Sequence, residues 1–347
     1  SYVGQSNPPG TGPYQIDAFS PLASMNLTAR ETWWQQTPQV KSIQATFYQS
    51  NKEMINSYEY GRVDTVFTRS VAAAQYKSGI SSLSVPYSTR QLEVLLLNHR
   101  DEGYPLDNPN IRRAIRYALN IDAISESVYM GMTAGADTPI ADDSWLYLDQ
   151  SDKFAYNKEK AAQILLDEGW SDIDGDGILD KVISEDKVKH FVLRLFVYED
   201  PENNVRYETA NMIADMLGEL NIKVNVTAKT YDEALTAMKD GKFDMCLCAF
   251  QMDAAPDAGF LLMKRNSGNY MGYSSSEMTS LFETLRTNEN QADFAYTWQS
   301  IQQQFANDMP FICLFYRAGA ILTRKMYTTV RDIREFELLR GIEAFGR

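Results

Sequence analysis

The chain has 347 residues, 44% of them hydrophobic and 23% charged, with a net charge of −13. That length exceeds one small core and fits about two domains. The acidic balance excludes a nucleic-acid partner, which needs clustered Lys and Arg, and a cationic membrane-surface helix. No apolar run reaches the ~18 residues that span a bilayer.

Ser1-Tyr2-Val3-Gly4-Gln5 lacks the charged and apolar regions of a signal peptide. The expectation is a cytosolic protein or one whose targeting segment lies outside this sequence. Pro8-Pro9-Gly10-Thr11-Gly12-Pro13 reads as a rigid turn region. Strand-like runs follow at Tyr14–Phe19 and Met25–Arg30. Ser42–Tyr48 alternates Ile43, Ala45 and Phe47, which predicts a half-buried strand. Lys52–Glu59 predicts a helix stopped at Gly61, and Val63–Phe67 another strand.

Leu92–Leu97 is nearly continuous apolar sequence and predicts a buried strand. A helix follows from Asn110, with Ile111, Ile115, Ala118 and Leu119 on one stripe. Asn120 caps the next helix, Asp122 sits in its first turn, and Gly131 is the expected stop. Asn157 caps a further helix that ends before Gly169.

The run Asp172-Ile173-Asp174-Gly175-Asp176-Gly177-Ile178-Leu179-Asp180 has the spacing of a calcium loop. Asp172, Asp174, Asp176 and Asp180 fall at positions 1, 3, 5 and 9, and the Ile178 carbonyl at position 7. Position 12 is Ile183 instead of a bidentate Glu, so the loop reads either as a weak structural Ca2+ site or as an Asp/Gly-rich turn. No other cofactor is implied.

Between His190 and Asp253 the pattern is strand, helix, strand, helix, strand: Phe191–Tyr198, Val205–Leu220, Val224–Ala228, a helix opened by the Thr230-x-x-Glu233 capping box, and Phe243–Phe250. That order implies parallel strands joined by right-handed crossovers. Ligands of such sheets bind beyond the carboxyl ends of the strands. The residues there are Glu199 and Asp200, and Gln251, Met252 and Asp253. Glu277–Leu285 and Asp293–Asn307 predict helices, Pro310–Tyr316 a strand. Cys246, Cys248 and Cys313 read as buried small hydrophobes, and with only His99 and His190 a zinc site is poorly supplied. No nucleophile elbow, phosphate loop, zinc-protease helix or dinucleotide fingerprint is present, so nothing marks an enzyme.

Several stretches together resemble one family, the dipeptide and oligopeptide-binding proteins of ABC importers (family 5 solute-binding proteins). These are Gly10-Thr11-Gly12-Pro13-Tyr14, Gly61-Arg62-Val63-Asp64, Asn108 to Ala118 with its Ile111-Arg112-Arg113-Ala114 core, Val128-Tyr129 with Gly131, Glu168-Gly169-Trp170, Pro256-Asp257, Asn269-Tyr270 and Gly272-Tyr273-Ser274. The resemblance implies an α/β, periplasmic-binding-protein-like fold (type II, class C) of two lobes, with an extended peptide enclosed between them. It implies that one Asp, after a strand ending Trp-x-x-Asp, receives the peptide's free amine. The matching stretch is Phe250-Gln251-Met252-Asp253, with Phe250 in place of Trp, so Asp253 is the expected amine ligand.

In the family the Gly-Thr-Gly-Pro-Tyr stretch lies well inside the chain. Lobe one is therefore expected to be incomplete, formed by residues 1–93 and a return segment 326–347, with lobe two at 94–325. The implied partners are a peptide and the ABC permease subunits, at an extracytoplasmic location with a lipid anchor on a preceding segment. The competing expectations are a binding protein for a sugar or metal complex, a peptide sensor, and a carboxylate-based hydrolase.

Overall fold

The computed structural model describes residues 10–76, 82–100, 104–199, 204–253, 257–324, 333–335 and 337–344. The chain divides into two compact units, residues 1–89 with 318–347, and residues 90–317.

The first unit opens with a three-stranded antiparallel meander, β1 (Tyr14–Ser20), β2 (Ser24–Ala29) and β3 (Ser42–Thr46). β3 stops short of Phe47, which is exposed, so the alternation read from Ser42 to Tyr48 is only partly strand. α1 (Asn51–Glu59) starts where the Ser50 hydroxyl accepts the Glu53 N–H, and the chain leaves it through Gly61 at φ +69°. β4 (Thr65–Thr68) follows, then β5 (Ser82–Leu97). β5 begins ten residues before the apolar run at Leu92: its first half alternates Leu83, Val85 and Tyr87 with Ser82, Ser84 and Pro86, a period-2 signal interrupted by the proline.

The second unit holds the larger core. In chain order it contains α2 (Pro109–Ala118), α3 (Ile121–Val128), β6 (Thr133–Gly135), α4 (Ser151–Phe154), α5 (Lys158–Asp167), β7 (Asp180–Ser184) and β8 (Lys187–His190). Then come β9 (Val192–Tyr198), α6 (Val205–Gly218), β10 (Lys223–Lys229), α7 (Tyr231–Asp240) and β11 (Met245–Gln251). α8 (Gly259–Leu262), α9 (Ser276–Thr287), α10 (Gln291–Asp308) and β12 (Phe311–Arg324) complete it. The last residues of β12 return to the first unit and pair with β4.

The strand order of the second unit is β10-β9-β11-β5-β12, with β6 along β12. β9 is parallel to both β10 and β11, and β5 is antiparallel to β11. The capping box at Thr230 and Glu233 is formed, and Gly241 closes α7 at φ +68°. All three cysteines are buried and free. No helix among the described residues is long and apolar enough to cross a membrane.

Two basic residues bind the chain where α10 ends. The buried Arg112 guanidinium donates to four backbone carbonyls, those of Leu106, Asp107, Asp308 and Met309. It thereby satisfies the orphan carbonyls where α10 ends. Beside it, His99 Nε2 lies 2.8 Å from the Pro310 carbonyl and the ring meets Tyr273 edge-on. Burial, then the positive charge of Arg112, push the His99 pKa down to about 3.

The folded chain therefore keeps His99 neutral, while the unfolded chain takes up a proton near its ordinary value of 6.5. This contribution to stability is complete above pH 6.5 and is lost as the pH falls toward 3. Between pH 7 and pH 5 it amounts to about 2 kcal/mol. Urea titrations at the two pH values should show that loss, and His99→Gln should remove most of it. A His99→Gln protein with an unchanged pH dependence would contradict the assignment.

Candidate functional site

The chain runs from β9 through α6 to β10 on one side, and from β10 through α7 back past β9 to β11 on the other. Right-handed crossovers then place α6 and α7 on opposite faces. The side chains agree. Arg206 of α6 binds Glu93, whose face of the sheet carries Leu95, Leu247 and Val197. Tyr231 of α7 packs on Tyr198, whose place in the strand is on the opposite face and whose ring, at the strand end, also reaches the Arg206 guanidinium. After β11 the chain reaches Phe260 of α8, which packs on Phe250 of the face opposite Glu93, so it leaves β9 and β11 toward different faces, the arrangement in which such sheets take ligands at the carboxyl ends of the strands.

At this edge Glu199 follows β9, its N–H donating to the Lys229 carbonyl, and its side chain is exposed. Gln251 is exposed and aligned with Gln91, and Asp253 is exposed two residues on. Met252 differs: its side chain is 5% exposed, and its N–H donates to the Arg90 carbonyl. Phe250 is half-buried, its ring edge-on to Phe260 at 5.8 Å. The structure thus gathers Glu199, Phe250, Gln251, Met252 and Asp253 at one sheet edge, whereas Asp200 lies outside the described residues.

Two residues before Gln251 in the register of β11, opposite Ala249, lies a charge pair not anticipated from the sequence. Glu93 is fully buried within the apolar run Leu92–Leu97 and accepts two hydrogen bonds from Arg206, at 2.8 and 2.9 Å. Arg317 stands 3.9 Å from the same carboxylate. Burial opposes the charge on Arg206, and Glu93 more than offsets it, so the guanidinium pKa is raised above its ordinary value. The Arg206 guanidinium also lies 4.6 Å from the Tyr198 ring centroid. The available signal was Glu93 itself, a lone carboxylate in an apolar strand that must find a cation.

The acidic loop at Asp172–Asp180 lies away from this edge, before the β7–β8 hairpin. Gly175 and Gly177 adopt φ of +81° and +83°, and the Asp172, Asp174 and Asp176 carboxylates each accept loop N–H groups. One oxygen from each of these three lies within 4.8 Å of the others. Asp180 is not in that group. It is buried, 2.7 Å from His190 Nδ1, and accepts the Ile173 N–H. Ile178 is half-buried.

Residues 4–272 match the family described as bacterial extracellular solute-binding proteins, family 5 Middle. The chain belongs to that family. The oligopeptide-binding protein AppA of Bacillus subtilis is 22% identical over 320 residues, covering 90% of this chain and 57% of AppA. The AppA structure, in complex with a nonapeptide, superposes with a TM-score of 0.69 over 96% of this chain and 65% of AppA. The dipeptide-binding protein of Escherichia coli is 23% identical over 82% of this chain and 51% of its own length. The nickel-binding protein NikA of Staphylococcus aureus is 21% identical, over 80% and 53%. The chain thus spans about half to two thirds of the length of these relatives. The fold is that of the periplasmic binding proteins, as the resemblance implied.

The family's sequence motifs serve this solute-binding protein as scaffold. Arg112 closes α10, and Asn108 and Asn110 bind the Glu168 carboxylate. Trp170 packs on Phe191 at 4.4 Å, and the Asn269 side chain brackets the turn to Tyr273.

Glu93→Gln should be strongly destabilising, because Arg206 is left buried without its counter-charge; the expected cost is about 3–5 kcal/mol. Replacing both residues with apolar side chains of similar size should cost far less. Chemical denaturation of the three proteins checks this, and equal losses in the single and double variants would contradict it.

Proposed function

We propose that this chain carries the ligand site of an extracytoplasmic receptor, one that binds di- or oligopeptides and delivers them unaltered to the permease subunits of an ABC importer. The observation that supports this reading is the sheet edge at the ends of β9 and β11, where Asp253 and Glu199 present carboxylates to solvent in a chain of this family. A peptide's ammonium group brought to that edge sheds water and needs a fixed anion. Asp253 supplies it from a position anchored by the adjacent Met252 N–H in the ladder to β5. The relatives named for oligopeptides and dipeptides favour a peptide over other solutes.

Titration calorimetry with a free tripeptide should show Asp253→Asn weakening affinity by about tenfold or more. An amino-blocked tripeptide should bind the native protein weakly and respond little to the substitution. Mass spectrometry should recover the peptide intact. Equal affinity of native and substituted proteins for the free peptide would remove Asp253 as the amine ligand. It would favour a non-peptide solute such as the metal complex suggested by the nickel-binding relative.

We propose also that the Asp172–Asp176 loop takes Ca2+ in a structural role, the convergence of its three carboxylates being the support. With Asp180 tied to His190 and Ile183 at position 12, the site is weak. At ten times Kd, calcium should stabilise by about 1.4 kcal/mol. A melting temperature identical in excess calcium and in chelator would count against it.

A further inference from the structure

The sheet face opposite α6 ends in a cluster of rings. Phe196 and Tyr198 of β9 share it with Cys246, Cys248 and Phe250 of β11, since Cys246 aligns with Phe196 and side chains alternate along each strand. The cysteines are buried, but Phe196, Tyr198 and Phe250 are only half-buried. On the other face Leu193, Leu195 and Val197 are closed off at 0–1% exposure. Tyr231, 60% exposed, stands edge-on to Tyr198 with centroids 5.7 Å apart. Phe260 stands edge-on to Phe250. Tyr270 joins the cluster through the turn in which its N–H donates to the Gly268 carbonyl and the Gly268 N–H donates to that of Phe260, and burial, then Tyr231 and Cys248, raise its pKa. Lys229 covers Phe196 from 4.6 Å, whereas Tyr231 and Tyr270 remain at the surface or half-buried.

The strand ends thus combine two chemistries. Aromatic faces lie on one side of β9 and β11, and the exposed carboxylates of Glu199 and Asp253 stand at the tips of the same strands. The Arg206 guanidinium, 4.6 Å from the Tyr198 ring centroid, is already neutralised by Glu93. A ligand complementary to this surface carries a positive charge and, within one residue's reach of it, a planar apolar group.

We propose that Tyr198, Tyr231 and Tyr270, with Phe250 and Phe260, form a side-chain subsite selecting peptides whose first residue, next to the free ammonium, is aromatic. The proposal rests on the peptide reading above and adds selectivity to it. Main-chain pairing accepts many sequences alike, so any preference among peptides must come from side-chain surfaces of this kind. Edge and offset contacts of an added ring with the tyrosines, together with its burial, are worth at least a tenfold gain over a methyl group.

The test compares Phe-Gly-Gly with Ala-Gly-Gly, titrated calorimetrically into the native protein, the Tyr231→Ala/Tyr270→Ala double variant and Asp253→Asn. Both tyrosines are surface or half-buried residues, and circular dichroism confirms the fold of each variant. The native protein should prefer Phe-Gly-Gly by about tenfold or more. The double variant should bring the two peptides within about twofold of each other through weaker binding of Phe-Gly-Gly, with Ala-Gly-Gly little changed. Asp253→Asn should weaken both peptides and leave their ratio in place. Equal native affinities for the two peptides, or a preference that survives the double variant, would overturn the aromatic subsite while leaving the peptide reading standing. Failure of both peptides to bind the native protein would overturn the two together.

Discussion

The handedness of two crossover connections decides where this sheet opens. A right-twisted strand feeding a right-handed helix returns to the sheet in one sense only, so α6 and α7 must cover opposite faces once β10 and β11 flank β9. The chain after β9 enters α6 on the Glu93 face, and the chain after β11 reaches Phe260 against Phe250 on the other, so the two loops diverge. Every residue of the candidate site is placed by that divergence: Glu199 by the end of β9, Gln251 to Asp253 by the end of β11, and Tyr231 by the first turn of α7.

The second unit tolerates the buried charges of Glu93, Arg112 and Asp244 because each is met in a geometry that its own shape demands. Glu93 takes the forked guanidinium of Arg206 bidentately, the arrangement in which a buried pair offsets most of its desolvation cost. Arg112 takes no such fork; its N–H groups meet four carbonyls at chain turns, which removes orphan acceptors from the end of α10. Asp244 accepts from both the backbone and the guanidinium of Arg194, tying the start of β11 to β9. These contacts rigidify the strands whose far ends carry the candidate site.

Several of the family motifs lie apart from the candidate ligand residues within the second unit. Arg112, Asn108, Glu168, Trp170 and Asn269 bind other parts of the same unit, and substitutions there would act through folding.

Local patterns determined much of this protein. The capping groups Asn120, Asn157 and Thr230 start helices where the sequence places them, because a cap needs only a side-chain oxygen three residues from an orphan N–H. The order strand-helix-strand-helix-strand from Phe191 to Phe250 determined the parallel sheet, and through it the edge holding Glu199 and Asp253. The sequence also marked the Asp172–Asp176 turn, since its glycines at positive φ are a local requirement. What only the tertiary structure decided was the partner of each long-range group. Nothing near Glu93 in sequence points to Arg206, 113 residues away, and the same holds for Arg112 with the end of α10 at a separation of 197. The gathering of Tyr198, Tyr231 and Phe250 on one face required the register of β9 against β11, which no single strand contains. Caps and periodicities are settled within one or two turns of chain, whereas ion pairs and shared faces exist only after distant strands have paired.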